Sequence, residues 1–311
     1  MDRLEAMAIL VAAVETGSLS GAGRRLGTPL PTISRKLSDL EAHLGTRLLV
    51  RTTRRLSLTD AGTAYLAASK QILEQVDEAE RLAGGEYSAP RGELIVAAPI
   101  AFGRLHILPL VNELLRRFAE IDVRLVLSDR NAHLIDDHID IAARIGALPD
   151  SGMVATRVGT VRYVICASPA FLAAHGVPRI PADLSDLPCV TFEALGAADG
   201  WPFKIGPSQR EERVAIRSRL SVSTAEAAID AAVAGVGVTR VLSYQAARAV
   251  EEGRLRIVLE DFESQPLDVS LIHAGQGRLP LKTRAFLDLA TPRLRQVLAP
   301  GSATRESAVE S

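Results

Sequence analysis

Cysteine is nearly absent from this chain. Two residues, Cys166 and Cys189, occur in 311, too few for a disulfide scaffold or a Cys-rich zinc site. Both read as small buried hydrophobes. Aromatic residues make up only 4%, with a single tryptophan, Trp201. No apolar run approaches the ~18 residues that a membrane-spanning helix needs. The start, Met1-Asp2-Arg3-Leu4-Glu5, lacks the basic opening of a secretory signal, so a cytoplasmic location is expected, with no membrane partner. Excess charge of one sign is missing too: 36 Lys and Arg stand against 37 Asp and Glu. A basic coat over the whole molecule is excluded, whereas a local one is not.

What is present is ordinary globular material, 47% hydrophobic and 23% charged, long enough for two or three domains. The charge is segregated. Residues 24–55 hold eight basic residues (Arg24, Arg25, Arg35, Lys36, Arg47, Arg51, Arg54, Arg55) and two acids, Asp39 and Glu41. Residues 60–90 reverse this, with six acids and two basic residues. A basic head followed by an acidic neck implies different partners for the two segments.

The head reads as short helices. Leu4, Met7, Val11 and Val14 share one helical face, and Gly17-Ser18 ends that helix. A second runs over about 20–26. A third starts near Pro31, which suits a first helical turn; its apolar positions Ile33, Leu37, Leu40 and Leu44 fall at spacings 4, 3 and 4, and Gly45 stops it. Residues 51–58 alternate as a small hairpin, and Thr59 caps a long helix over 60–83. Along that helix Tyr65, Ser69, Ile72, Val76, Ala79 and Ala83 form a heptad seam widened by Leu66 and Leu73. A lone helix with so narrow an apolar stripe needs a partner: packing within the chain is the plainer cover and a coiled-coil homodimer the sharper one, favoured because no second long helix precedes it. Gly84-Gly85 ends the helix, and Ser88-Ala89-Pro90-Arg91-Gly92 reads as a linker. Beyond it strands and helices alternate, the pattern of an α/β domain. The expected strands are 94–98, 123–128, 139–143, 163–167, 189–192, 213–222 and 267–273, and the expected helices 105–119, 169–175, 225–234, 244–251 and 281–298.

Three series carry a resemblance: Leu19 to Gly27, Pro31 to Gly45, and Arg47 to Arg51 followed by Leu58-Thr59-Asp60-Ala61-Gly62. Their order of small, apolar and basic positions resembles the N-terminal winged helix-turn-helix of LysR-type transcriptional regulators, and Ala167-Ser168-Pro169-Ala170-Phe171-Leu172 resembles part of the family's effector domain. The resemblance implies an all-α winged helix-turn-helix at 1–59, a dimerisation helix and hinge at 60–91, and an α/β effector domain at 92–300. That domain would have the two-lobed type 2 periplasmic-binding-protein fold, with lobe one at 92–163 and 268–298 and lobe two at 164–267. It further implies a sequence-specific regulator, not an enzyme, with no cofactor. Its partners would be a double-stranded DNA operator, a small-molecule effector, itself as a dimer or tetramer, and RNA polymerase.

A helix-turn-helix lays its second helix in the major groove with N-terminal residues near base edges. Thr32, Ser34, Arg35 and Lys36 occupy that stretch; Arg35 suits guanine or a phosphate, and Arg51, Arg54 and Arg55 suit phosphates or the minor groove. The plainer alternative is a solvated basic face. Where the family often has Ser-Gln-Pro, this chain has Pro29-Leu30-Pro31, so a glutamine contact to a base does not carry over. In the effector domain three places are candidates: the Ile100-Ala101-Phe102 loop, whose N–H groups would face an anion; Arg144 at a strand end; and Ser223 with Thr224 ahead of a helix, where capping is the competing use. Trp201 and Phe203 read chiefly as core.

Other signals weigh less. Gly21 to Gly27 has its third glycine misplaced for a dinucleotide loop and no strand before it. His133 to His138 offers two imidazoles and two carboxylates, which more often are solvated than metal-bound. Asp129 and Arg130 read as structural. An α/β enzyme with a helical head, or a solute-binding protein, are the competing functions; the first lacks a visible catalytic pair, the second a signal peptide.

Overall fold

The computed structural model describes residues 1–51, 56–83, 89–129, 139–148, 152–192, 200–205, 210–274 and 279–299. By internal contacts the chain divides into two units near residue 92.

The first unit opens with α1 (Arg3–Glu15), capped by Asp2, whose carboxylate accepts from the Leu4 and Glu5 N–H groups. Of the four apolar residues expected on its inner face, only Met7 is buried; Ala6, Ile9, Leu10, Ala12 and Ala13 are the others. The helix is apolar nearly all round and touches α2 (Leu19–Leu26), α3 (Leu30–Leu44) and α4 (Asp60–Ala83), so three neighbours rather than one stripe decide its burial. Ile33, Leu37 and Leu40 of α3 are fully buried, whereas Leu44 turns outward next to the Gly45 stop. The hairpin consists of β1 (Leu49–Arg51) and β2 (Leu56–Leu58), with Leu49 opposite Leu58 and Arg51 opposite Leu56; it begins two residues earlier than the alternation predicts. Thr59 caps α4, its Oγ1 accepting from Gly62 N–H at 2.9 Å and donating to Arg47 O at 2.7 Å. Gly62 admits no side chain, because a Cβ there would stand 2.0 Å from Leu48 O.

The second unit runs β3 (Gly92–Ala98), α5 (Ile100–Phe102), a π turn at Gly103–Ile107, α6 (Leu108–Arg117), β4 (Ile121–Leu127), β5 (Ile141–Ile145) and β6 (Met153–Val161). It continues with β7 (Tyr163–Ala167), α7 (Pro169–His175), β8 (Pro188–Phe192), β9 (Trp201–Ile205), β10 (Arg210–Val214), β11 (Arg217–Val222), α8 (Ala225–Val233), β12 (Val238–Leu242) and α9 (Ser243–Glu251). β13 (Arg256–Val258), β14 (Leu267–Ala274) and α10 (Leu281–Val297) close it. Two five-stranded sheets result, in the orders β4-β3-β5-β14-β6 and β11-β8-β12-β7-β13. Each mixes parallel and antiparallel pairs: β3 with β5 is parallel and β14 antiparallel to both its neighbours; β8 is parallel to β11 and β12, while β7 is antiparallel to β12 and β13. The chain leaves the first sheet after Val161 and returns to it at Leu267, which makes two lobes.

The expected strand over 213–222 is in fact two, placed in different sheets: β10 pairs with β9 in a separate hairpin, and β11 forms an edge beside β8. β6, β9, β12 and β13 were not expected as strands. The first lobe's core includes Leu94, Val96, Phe102, Leu114, Ile141, Leu271 and Phe286. The second sheet is covered on one face by alanines of α8 and α9 and on the other by Trp201 and Phe203 of β9. Cys166 and Cys189 are both buried free thiols, and burial pushes each up to about 12, which suits packing and disfavours thiolate chemistry. No single described helix is long and apolar enough to cross a membrane.

Candidate functional site

The head's candidate surface begins at the amino end of α3. Pro29 precedes the helix and no side chain caps its first turn; Pro31 has no N–H to offer, and the Thr32 and Ile33 N–H groups donate to Pro29 O at 2.9 and 3.1 Å, so the surface here is made by side chains. The buried seam of Ile33, Leu37 and Leu40 fixes the roll of the helix and turns Leu30, Pro31, Ser38 and Arg35 outward. Arg35 is exposed and forms no ion pair with a described residue. Lys36 differs: its ammonium pairs with Glu5 of α1, which partly neutralises it. Arg25 is tied to Glu15 at 2.6 Å. Thr32 is half-buried, its N–H donating to Pro29 O, and Ser34 is half-buried as well. Leu30 is 47% exposed in the position where a glutamine was absent.

The hairpin's placement depends on Glu41, which sequence reading counted only as an acid in a basic stretch. Its Oε1 accepts from the Leu48 and Leu49 N–H groups at 2.8 and 3.0 Å, fastening the start of β1 to α3. Arg51 is the last residue of β1; Arg54 and Arg55 lie outside the described residues.

The second unit's candidates lie at the carboxyl ends of β3, β5 and β11, the ends at which open α/β sheets bind ligands. The loop expected at Ile100-Ala101-Phe102 is a helical turn, and Ala101 and Phe102 are buried. The Ile100 N–H is already taken, donating to Asp129 Oδ1 at 3.0 Å. Burial raises the Asp129 pKa against that hydrogen bond, and Glu226 adds to the rise. Phe102 forms an aromatic trio with His106 and Tyr244, centroids 4.9 to 5.5 Å apart, joining the first lobe's α5 and π turn to the second lobe's α9. Burial pushes the Tyr244 hydroxyl well above its ordinary value, assisted by the Asp129 charge. Arg104 of the π turn reaches Glu226 of α8 at 3.7 Å, a second link between the lobes.

Arg144 stands half-buried in β5, and burial draws its pKa down. Thr224 caps α8, its Oγ1 accepting from Ala227 N–H at 3.3 Å, and Ser223 beside it is exposed. Trp201 and Phe203 are core residues. Among the described residues no three His, Cys, Asp or Glu side chains gather to hold a metal; His133 to His138 lie outside those residues, as does Arg130 beside Asp129. Asp129 was legible only as structural, since its partner lies 29 positions away; His106 and Tyr244 carried no motif.

Comparison with known proteins matches both units. Residues 4–63 match the bacterial regulatory helix-turn-helix protein, lysR family, and residues 88–295 match the LysR substrate binding domain. An HTH-type transcriptional repressor of Pseudomonas aeruginosa is 36% identical over 297 residues, covering 93% of this chain and 91% of the relative. The HTH-type transcriptional activator AaeR of Escherichia coli is 28% identical, covering 94% of each. Among solved structures, CrgA, a LysR-type transcriptional regulator from Neisseria meningitidis, matches with a TM-score of 0.60 and 28% identity, covering 93% of this chain and 98% of that one.

Proposed function

This chain belongs to the LysR family of bacterial transcriptional regulators, and from that premise we propose how its residues divide the work of binding DNA, self-associating and responding to a small molecule. Residues 1–59 read the operator, residues 60–91 pair two copies, and residues 92–300 hold the effector between lobes 92–163 with 268–298 and 164–267. The chain acts in the cytoplasm as a binder, without catalysis of its own. Relatives include a repressor and an activator, so the shared fold does not by itself set the sign of regulation.

The observation that carries the reading is α3: one side locked into a closed core, the other offering Arg35 with no ion-pair partner among the described residues. Such an arginine suits a bidentate contact with guanine or a phosphate. Thr32 and Ser34 flank it, Lys36 contributes after giving up part of its charge to Glu5, and Arg51, Arg54 and Arg55 track the backbone beside the groove. Leu30 in place of a polar residue favours a thymine methyl over a hydrogen bond at its base. Each head covers one half-site, so a two-fold operator follows from pairing by α4, and two such dimers make the tetramer. Arg144, Ser223, Thr224 and the Ile100-Ala101-Phe102 turn border the effector, which shifts the lobes only as far as it favours one arrangement over the other.

A footprint of the purified protein on DNA upstream of its own gene tests the reading. Arg35→Ala should cost about 1–3 kcal/mol in operator affinity and relax preference at one base pair, and binding should weaken steeply with salt. Unchanged affinity and unchanged preference together would refute the role of Arg35.

A further inference from the structure

Two cations are buried among the described residues, Lys282 and Arg240. They are stabilised differently. Lys282 donates from its ammonium to Glu93 O. Arg240, in the middle of β12 and only 6% exposed, has an aromatic ring instead: its Cζ lies 3.7 Å from the centre of the Tyr163 ring. It makes no side-chain hydrogen bond and no ion pair with any described residue. Burial draws its pKa down; against that, Glu211 on β10 favours the charged form and Arg213 of the same strand opposes it. The Arg162 guanidinium next to Tyr163 in the chain already holds Glu263.

Strand alternation places this guanidinium. Val238, Arg240 and Leu242 share one face of β12. Val238 packs in the cluster of Trp201 and Phe203, whereas Leu242 packs in the first lobe's core. Tyr163 is opposite Leu242 in register, one diagonal step from Arg240, and it too packs against the first lobe's core. Arg240 therefore stands between the two cores, backed by a ring. A buried ion normally keeps a counter-charge or its full set of hydrogen bonds, and a guanidinium has five N–H donors to satisfy. A cation–π contact offsets part of the desolvation and leaves those donors unused.

We infer that Arg240, stacked on Tyr163, is an anion-binding point that takes the carboxylate of a small organic acid. The planar fork of the guanidinium matches a carboxylate bidentately. The alternative anion position, the Ile100 N–H, is occupied by Asp129 Oδ1, and Glu226 acts on Asp129 as a like charge, so a second anion is disfavoured there. Arg240 is not one of the residues assigned above to the effector. The inference deepens the reading of this unit as ligand-binding and rests on it; an acid held at Arg240 would touch the junction between the lobes.

The test uses the full-length protein without DNA. Thermal unfolding is followed against sodium acetate, sodium benzoate, benzamide and inorganic phosphate at matched ionic strength, with affinity from calorimetry. At least one carboxylate should raise the Tm saturably and benzamide should not. Arg240→Met should weaken that carboxylate at least tenfold, and Arg240→Lys, which keeps the charge without the fork, should weaken it less. No saturable response to either carboxylate, a response to phosphate alone, or an undiminished response in Arg240→Met overturns the assignment. A crystal of the unaltered protein grown with 4-iodobenzoate decides the matter without a variant: an iodine anomalous peak beside Arg240 supports the site, and a peak elsewhere or none removes it. Because DNA takes no part, failure of α3 to read an operator leaves these results standing, and operator binding with no acid at Arg240 removes this inference alone.

Discussion

α3 and α4 carry the same spacing of apolar residues and have opposite fates. Ile33, Leu37 and Leu40 of α3 are fully buried by α1, α2 and the β1–β2 hairpin. On α4 the seam is buried only at its start. Tyr65 and Leu66 join the head's core, Ser69 is buried with its Oγ donating to Tyr65 O at 2.7 Å, and Ile72 is already 38% exposed. Ala79, further along, is exposed as well. A 4-3-4 repeat thus says that a face is apolar, not what covers it. For α3 the cover is its own unit; for the distal half of α4, where Ile72 and Ala79 are exposed, the cover we propose is a second copy. The two seams should therefore respond to mutation in different currencies, folding for one and assembly for the other.

The largest effect expected is on assembly. Ile72→Glu combined with Val76→Glu should turn the protein into a monomer by light scattering and weaken operator binding by about 10²–10⁴-fold through loss of the linked second head. The thermal unfolding of the head should move little, since Ile72 is exposed and Val76 only half-buried and neither belongs to the head's core cluster. A dimer that survives both charges would place the interface elsewhere. On the other seam, Leu37→Ala should destabilise the head by about 2–5 kcal/mol, the range for emptying a closed core, measured by chemical unfolding of the full chain. Self-association should persist wherever the chain remains folded. If Leu37→Ala dissociates the dimer before it unfolds the head, the contrast between the helices fails.

A smaller effect separates the junction between the helices from both seams. Thr59 caps α4 and also donates to Arg47 O, so Thr59→Ala should cost about 1 kcal/mol, and Thr59→Ser should recover most of it. Equal losses in the two variants would mean that the methyl, and not the hydroxyl, matters.

The junction was legible in advance, and so were the ends of α3 and α4, because caps, prolines and glycines act locally. The face of α1 was not: with apolar residues all round, the three helices touching it choose which side is buried. Among strands, those marked by runs of Val, Ile and Ala emerged, while β12 did not, because Arg240 interrupts Val238 to Leu242 and reads as a break. That interruption was the available signal for the buried cation, a lone charge inside an apolar run; what the sequence lacked was Tyr163, brought alongside by strand register from 77 positions away. Glu41 and Asp129 were hidden for the same reason. Each serves backbone N–H groups whose position the fold determines, and a carboxylate carries no local mark of the donor it will meet.

The smallest effect concerns Glu15, which links α1 to two of its three helical neighbours, α2 and α4. It pairs with Arg25 of α2 at 2.6 Å and with Lys70 of α4 at 3.1 Å. Burial by itself would raise its pKa, but the hydrogen bonds and charges of Lys70 and Arg25 together outweigh burial, and the net direction is down. A carboxylate with a lowered folded-state pKa stabilises the fold above its unfolded value, here near 4.5, and that contribution fades as pH falls through the lower folded value. Since the pair is well exposed and screened by salt, Glu15→Gln should cost under about 1 kcal/mol at neutral pH, and nothing once the wild-type carboxylate is itself protonated. Chemical unfolding of the two proteins from pH 7 to pH 3 should converge on the acid side. Because Lys70 lies on the part of α4 that packs against α1, this loss should appear in folding and leave self-association unchanged.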